Sequence, residues 1–65
     1  MNEQNYRRAR EAAGVKVEQV AVYLGVSPTT VYNWERGNTN PDADKVKAMA
    51  ELYGVSPDFL LAVAQ

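Results

Sequence analysis

VEQVAVYLGVSPTTVYNWERG, residues 17–37, reads as a helix, a sharp turn and a second helix, with a glycine closing each. Val17, Val20, Ala21 and Leu24 recur at i, i+3, i+4 and i+7, which lines one helix face with apolar atoms. Gly25 supplies the positive φ that commonly ends a helix. Val26-Ser27-Pro28 restarts the chain at once. Ser27 is placed to cap the free N–H groups, and Pro28 fits a first helical position that needs no donor. Val26 and Val31 occupy N′ and N4, the two ends of a hydrophobic staple.

At 100° per residue the second helix divides into two faces. Val31, Trp34 and Glu35, with Thr30 at the margin, point one way; Thr29, Tyr32, Asn33 and Arg36 point the other. The apolar pair buries the helix on its neighbours, and Trp34 reads as core. The opposite face carries a hydroxyl, a phenol, a carboxamide and a guanidinium, a mixture suited to base edges and phosphates in a major groove.

The remaining residues frame this unit. The chain has 65 residues and is 46% hydrophobic, which predicts one globular domain, spanning 1–65, near the small end of what folds unaided. With no cysteine it has neither disulfides nor a thiolate metal site, and a reducing compartment fits best. No segment has the length of a membrane span or a signal-peptide core. The net charge of −1 argues mildly against nucleic acid, but distribution matters more than the sum. Arg7, Arg8, Arg10, Lys16 and Arg36 fall in the first forty residues against Glu3, Glu11, Glu18 and Glu35. The last third carries Asp42, Asp44, Glu51 and Asp58 against Lys45 and Lys47, so the N-terminal part is slightly basic and the remainder acidic. Modest affinity per protomer and a strong dependence on salt and dimerisation are therefore expected.

A first helix is expected from Asn5, its candidate cap, to a stop at Gly14, with Tyr6, Ala9, Arg10 and Ala13 inward. A guanidinium on an apolar stripe needs a partner or a route to water. Glu35, on the inner arc of the third helix, is the natural partner for a bidentate bridge; the alternative is that Arg10 reaches solvent and Glu35 is hydrated. Helix 2 starts near Lys16 or Val17 without a good side-chain cap, although Gln19 is placed to reach back. After a loop at residues 37–41, a fourth helix is expected from about Asp42 to Tyr53, with Ala43, Val46, Met49, Ala50 and Tyr53 inward. Gly54-Val55-Ser56-Pro57 then repeats Gly25-Val26-Ser27-Pro28 letter for letter, with Leu60 placed to meet Val55. This is a reused helix-to-helix corner rather than a tandem repeat, and it starts a short fifth helix from Pro57 to about Ala64. The fold class is all-α, a five-helix bundle with no strand.

Laid out in this way, the chain resembles the Cro/phage-repressor (Xre-type) helix-turn-helix family over roughly residues 5–61. The likeness rests on Arg10 with Gly14, Val20-Ala21, Leu24-Gly25-Val26-Ser27, Val31, Trp34-Glu35, Gly37, Pro41, Ala50 and Tyr53-Gly54-Val55-Ser56. It implies a compact lambda-repressor-like bundle whose second and third helices, residues 17–37, form a DNA-binding unit. Residues matching Pro28, Thr29, Tyr32 and Asn33 lie against the major groove in that family. Those matching Lys16, Arg36 and the Asn38, Thr39, Asn40 loop approach phosphates, and Ser27 and Thr30 join them as candidates. Arg10 and Glu35 match a pair that bridges in the family's core. The chain departs from the pattern where relatives carry Thr or Ser followed by Gln at the start of helix 2; here stand Lys16 and Val17. Pro28 replaces a long polar side chain, which narrows direct readout to Thr29, Tyr32 and Asn33.

Each of these residues also has a plainer reading. Asn33 either pairs with an adenine edge or stands on a solvated face. Thr29 touches a thymine methyl or a phosphate, or is simply a first-turn residue. Tyr32 lies along the sugar-phosphate wall or covers apolar surface, and Arg36 clamps a phosphate or complements the helix dipole. Arg7 and Arg8 read as a solvated face, because helix 1 sits behind the reading helix.

No enzyme is expected: histidine and cysteine are absent, and no nucleophile lies at a telling distance from a base. No metal, cofactor or small-molecule ligand is indicated either. The resemblance implies a repressor in the cytoplasm of a bacterium or phage-infected cell. It would bind a double-stranded DNA operator as a homodimer. The apolar character of helix 5 points to Phe59 to Val63 as the contact, although a small domain needs some of these residues for its own core. The resemblance leaves open a whole Cro-like protein or the N-terminal domain of a longer repressor. The rivals are a protein-interaction module on the same bundle and an antitoxin of a toxin–antitoxin pair.

Overall fold

A computed structural model describes residues 4–62. The helices follow the glycine and proline punctuation: α1 is Tyr6–Ala12, α2 Val17–Leu24, α3 Pro28–Glu35, α4 Ala43–Tyr53 and α5 Pro57–Leu61. Helix α3 packs chiefly on α2 and α1, while α4 lies against α2, α1 and α5. Their inner faces meet in a single core of Tyr6, Ala9, Val17, Val20, Ala21, Val31, Trp34, Val46, Met49, Ala50, Tyr53 and Leu60. Val15, Leu24, Val26, Leu52 and Val55 are half-buried around it. Among the described residues, no helix is long and apolar enough to cross a membrane.

The two Gly-Val-Ser-Pro segments adopt one geometry. Gly25 and Gly54 both have φ 73° and ψ 34°. Val26 N–H donates to the Ala21 carbonyl and Val55 N–H to the Ala50 carbonyl, both at 3.0 Å, the six-to-one bond that closes a helix end. Ser27 and Ser56 then accept from the backbone N–H of Thr30 and Phe59, each at 3.2 Å. One four-residue device thus turns the chain twice, because glycine alone enters the left-handed region freely and serine fills the next helix's empty donor. Asp42 caps α4 in the same manner, accepting from Lys45 N–H at 2.9 Å. Lys16 has no acceptor to offer as a cap, and Gln19 Oε1 instead accepts from Lys16 N–H at 2.8 Å.

Four expectations are corrected. Asn5 makes no side-chain cap for α1. It is buried, and its Nδ2 donates to the Phe59 carbonyl at 3.0 Å while its backbone N–H donates to that of Leu60 at 3.2 Å. Gln4 Nε2 reaches the Leu61 carbonyl at 3.1 Å, so residues 4–5 strap the end of α5. The five-residue α5 has too few internal bonds to satisfy those carbonyls itself. It stops at Leu61 rather than Ala64, since Ala62 is extended (φ −69°, ψ 145°); Val63 and Ala64 lie outside the described residues. Ala13 and Ala43 are exposed, not inward. Ala13 follows the last residue of α1, where the chain leaves the helix, and Ala43 opens the capped first turn of α4, one turn short of the buried Val46.

A Cβ at Gly25 or Gly54 would meet nothing within 4 Å, so substitution carries only the backbone penalty. Gly25→Ala and Gly54→Ala are each expected to cost about 1–2 kcal/mol. Urea denaturation reads this as a lower midpoint with an unchanged slope; a midpoint that did not move would contradict the shared left-handed corner.

Candidate nucleic-acid interface

The roll of α3 follows from what it buries. Val31, Trp34 and Glu35 are 1%, 6% and 6% exposed, which leaves the opposite arc in solvent. Pro28, Thr29, Tyr32 and Arg36 are exposed, and Asn33 and Thr30 are half-buried. Thr29, Tyr32, Asn33 and Arg36 therefore share one ridge at i, i+3, i+4 and i+7, as their spacing predicts. Among the described residues, no side-chain hydrogen bond engages Tyr32, Asn33 or Arg36. A phenol, a carboxamide and a guanidinium thus stand ready for an outside partner.

The flanking candidates are exposed as well: Lys16 at the start of α2, Ser27 at the start of α3, and Asn38, Thr39 and Asn40 in the loop after it. Asn38 and Thr39 are held back to the helix through N–H donation to the Asn33 carbonyl at 2.9 and 3.4 Å. The Ser27 and Thr30 hydroxyls bond one another at 3.0 Å. That contact uses one of their two hydroxyl hydrogens and leaves one to donate outward.

Behind the ridge, Arg10 grips Glu35 with both arms, Nε to Oε2 at 2.7 Å and Nη2 to Oε1 at 3.1 Å. Its Nη1 donates to the Val15 carbonyl at 3.1 Å, so one guanidinium ties the end of α1 to the last turn of α3. The bond to Glu35 outweighs desolvation and raises the Arg10 pKa above its ordinary value. Tyr53, from α4, is buried beside this pair, and its hydroxyl has no hydrogen-bond partner among the described residues. Burial first, and the Glu35 charge second, push its pKa well above the ordinary 10.0, with Arg10 opposing. Sequence spacing did not reveal this neighbour, because Tyr53 reads as one more apolar stripe position.

A second feature was also missed. An open cleft of about 440 Å³ between α1 and α3 is lined by Arg7, Arg10, Glu11, Tyr32, Glu35 and Arg36. Arg7 is solvated as expected, yet it lines the same cleft as the flank of α3 and bonds Glu11 at 3.1 Å. The signal was available: Arg7 lies one turn before Arg10, and Arg10 was already assigned to Glu35.

A family model described as "Helix-turn-helix" matches residues 7–60. The HTH-type transcriptional regulator ImmR of Bacillus subtilis (strain 168) is 34% identical over 55 residues, which cover 85% of this chain and 43% of that protein. YobD of the same organism, a second regulator of this type, is 32% identical over 60 residues, covering 92% of this chain and 54% of its own. The chain thus spans about half the length of these relatives. Among solved structures, the P22 c2 repressor in complex with synthetic operator 9T superimposes with a TM-score of 0.78 at 28% identity. That match covers 88% of this chain and 86% of the repressor's.

Glu35→Ala strands the half-buried Arg10 guanidinium at the open cleft, so it is expected to cost up to about 3–5 kcal/mol, the figure for a fully buried pair. Against a whole-domain stability of roughly 3–10 kcal/mol, this leaves much of the protein unfolded. Replacing both residues by apolar ones of similar volume, Arg10→Met with Glu35→Leu, is expected to recover most of the loss in thermal melts. A double variant no more stable than Glu35→Ala would contradict this account. Tyr53→Phe is expected to leave stability unchanged or raise it by up to about 1–3 kcal/mol at neutral pH, since it deletes an unpartnered buried hydroxyl. The fold favours the protonated phenol, so that contribution is complete below the unfolded value near pH 10 and is lost as pH rises through the folded one. Urea midpoints above pH 10 should fall less steeply in Tyr53→Phe; a large loss at neutral pH would refute the unpartnered hydroxyl.

Proposed function

Because this chain belongs to the helix-turn-helix family, we propose that it is the sequence-specific DNA-binding domain of a transcriptional repressor, with α3 laid in the major groove. The observation that carries the reading is the division of α3: Val31, Trp34 and Glu35 are buried, and the Thr29–Tyr32–Asn33–Arg36 ridge is open. Asn33 is the bidentate reader of an adenine edge. Thr29, Tyr32 and the apolar Pro28 complete the base contacts. Arg36, Lys16, the Ser27–Thr30 hydroxyl pair and the Asn38, Thr39, Asn40 loop hold phosphates and so set the register.

The protein acts as a homodimer on a near-palindromic operator, with half-sites about 34 Å apart, one helical turn. The dimer forms through α5. Its exposed Phe59 and Leu61, 38% and 46% accessible, supply the contact, whereas Leu60 is fully buried in the protomer's own core. Val63, also expected in that contact, lies outside the described residues. The role is one of binding rather than catalysis, and its setting is the bacterial cytoplasm.

Titrating salt against binding to a random duplex is expected to give a clear negative log–log slope; a flat response would favour a protein-binding role instead. In a selection from randomised duplexes, Asn33→Ala should relax the preferred base at one or two positions, at about 1–3 kcal/mol of discrimination. Arg36→Ala should weaken all sequences alike. An unchanged selected motif for Asn33→Ala would overturn its assignment as the reader.

A further inference from the structure

The cleft between α1 and α3 has two facing walls, each built from residues one helical turn apart. Tyr32 and Arg36 form the α3 wall, Arg7 and Glu11 the α1 wall, and the Arg10–Glu35 bridge joins the two helices between them. Three guanidinium groups thus meet two carboxylates, in a chain whose net charge is −1. Arg10 is committed twice over, to Glu35 and to the Val15 carbonyl. Arg36 forms no ion pair among the described residues. Arg7 is held only by Glu11, in a bridge whose side chains are 70% and 55% exposed.

We infer that this cleft seats a phosphate of the DNA strand bordering the groove, that Arg7 is an additional backbone contact, and that Glu11 competes with the phosphate for it. The inference rests on α3 being the groove helix and adds a residue of α1 to its footprint. A helix lying in the major groove has a sugar-phosphate strand along each flank. The flank marked by Tyr32 and Arg36 opens into this cleft, so a phosphate beside Arg36 comes within reach of the Arg7 side chain. An exposed carboxylate bridge is weak and easily exchanged, whereas a phosphate accepts two parallel bonds from one guanidinium. Arg8, the adjacent residue, does not line the cleft, so it serves as an internal control for charge without contact.

The experiment compares Arg7→Gln, Arg8→Gln, Glu11→Gln and the double variant Arg7→Gln/Glu11→Gln on one random duplex across a range of salt concentrations. Circular dichroism melts verify that each folds, as expected for exposed side chains. Arg7→Gln should lower affinity several-fold and make the log–log salt slope shallower by about 0.9, the contribution of one neutralised phosphate. Arg8→Gln should change both less. Glu11→Gln should tighten binding, and most of that gain should vanish when Arg7 is already replaced. Equal effects of Arg7→Gln and Arg8→Gln would overturn the contact and leave only a diffuse charge effect. A Glu11→Gln gain that persists without Arg7 would overturn the competition. Failure of the groove-helix reading looks different: the wild-type slope itself would be flat, and Arg36→Ala would be silent.

Discussion

A guanidinium withdrawn from water must be met by a carboxylate of matching geometry, or the fold loses several kcal/mol. Arg10 and Glu35 satisfy this condition across the seam between α1 and α3, with both arms of the fork engaged. Such a pair adds little net stability over an apolar substitute, so its consequence here is orientation. Glu35 can reach Arg10 only if α3 is rolled with Val31 and Trp34 underneath. That same roll turns Tyr32 and Arg36 outward. The bridge and the apolar wedge therefore impose one angle on the helix from two kinds of interaction, one directional and one not.

The rest of the chain makes that angle reproducible in a domain of only 65 residues. Small domains bury a modest share of their surface, so ordered corners count for more than core size. The left-handed glycine and the serine cap at each Gly-Val-Ser-Pro corner remove most of the freedom a linker would otherwise have. Residues 4–5 do similar work for α5. Their donors meet carbonyls that a one-and-a-half-turn helix leaves bare, and they bind the segment before α1 to α5. The Oδ1 of Asn5 is left buried without a partner among the described residues, a cost set against the two hydrogen bonds that residue donates to α5.

What was legible in advance follows from these mechanisms. Helix number, order and corners were readable because they depend on local chemistry: glycine after the apolar stripe, serine and proline before the next. The inner and outer faces of α3 were readable because spacing fixes which side chains share an arc. Arg10 could be matched to Glu35 because both broke the apolar rule of their arcs. Contacts that obey no local rule were not readable. Asn5 looks like a cap, since capping is the short-range use of asparagine, whereas its side-chain amide and its N–H donate to carbonyls more than fifty residues away. Arg7 looked merely solvated because exposure says nothing about which cleft a side chain borders. The periodicity that places Ala13 and Ala43 inward assumes that each stripe runs to the helix end, whereas both of these end positions are exposed.

Charge is the place where the sum misleads and the arrangement decides. An acidic total is unfavourable for holding a polyanion, but only charges within about one screening length, ~8 Å at physiological salt, act strongly on it. The protein measures 28 × 23 × 21 Å, so its opposite sides are electrostatically almost independent. Helix α3 packs chiefly on α1 and α2. The basic residues Arg7, Arg8, Arg10, Lys16 and Arg36 lie on α1 to α3 or at their ends against Glu11, Glu18 and Glu35, whereas Asp42, Asp44, Glu51 and Asp58 lie on or beside α4 and α5 against Lys45 and Lys47. In the proposed role, a strand along α3 would meet the slightly basic part of the chain, while the acidic excess on α4 and α5 keeps the net charge low. The total alone argues mildly against nucleic acid; where each charge is anchored does not.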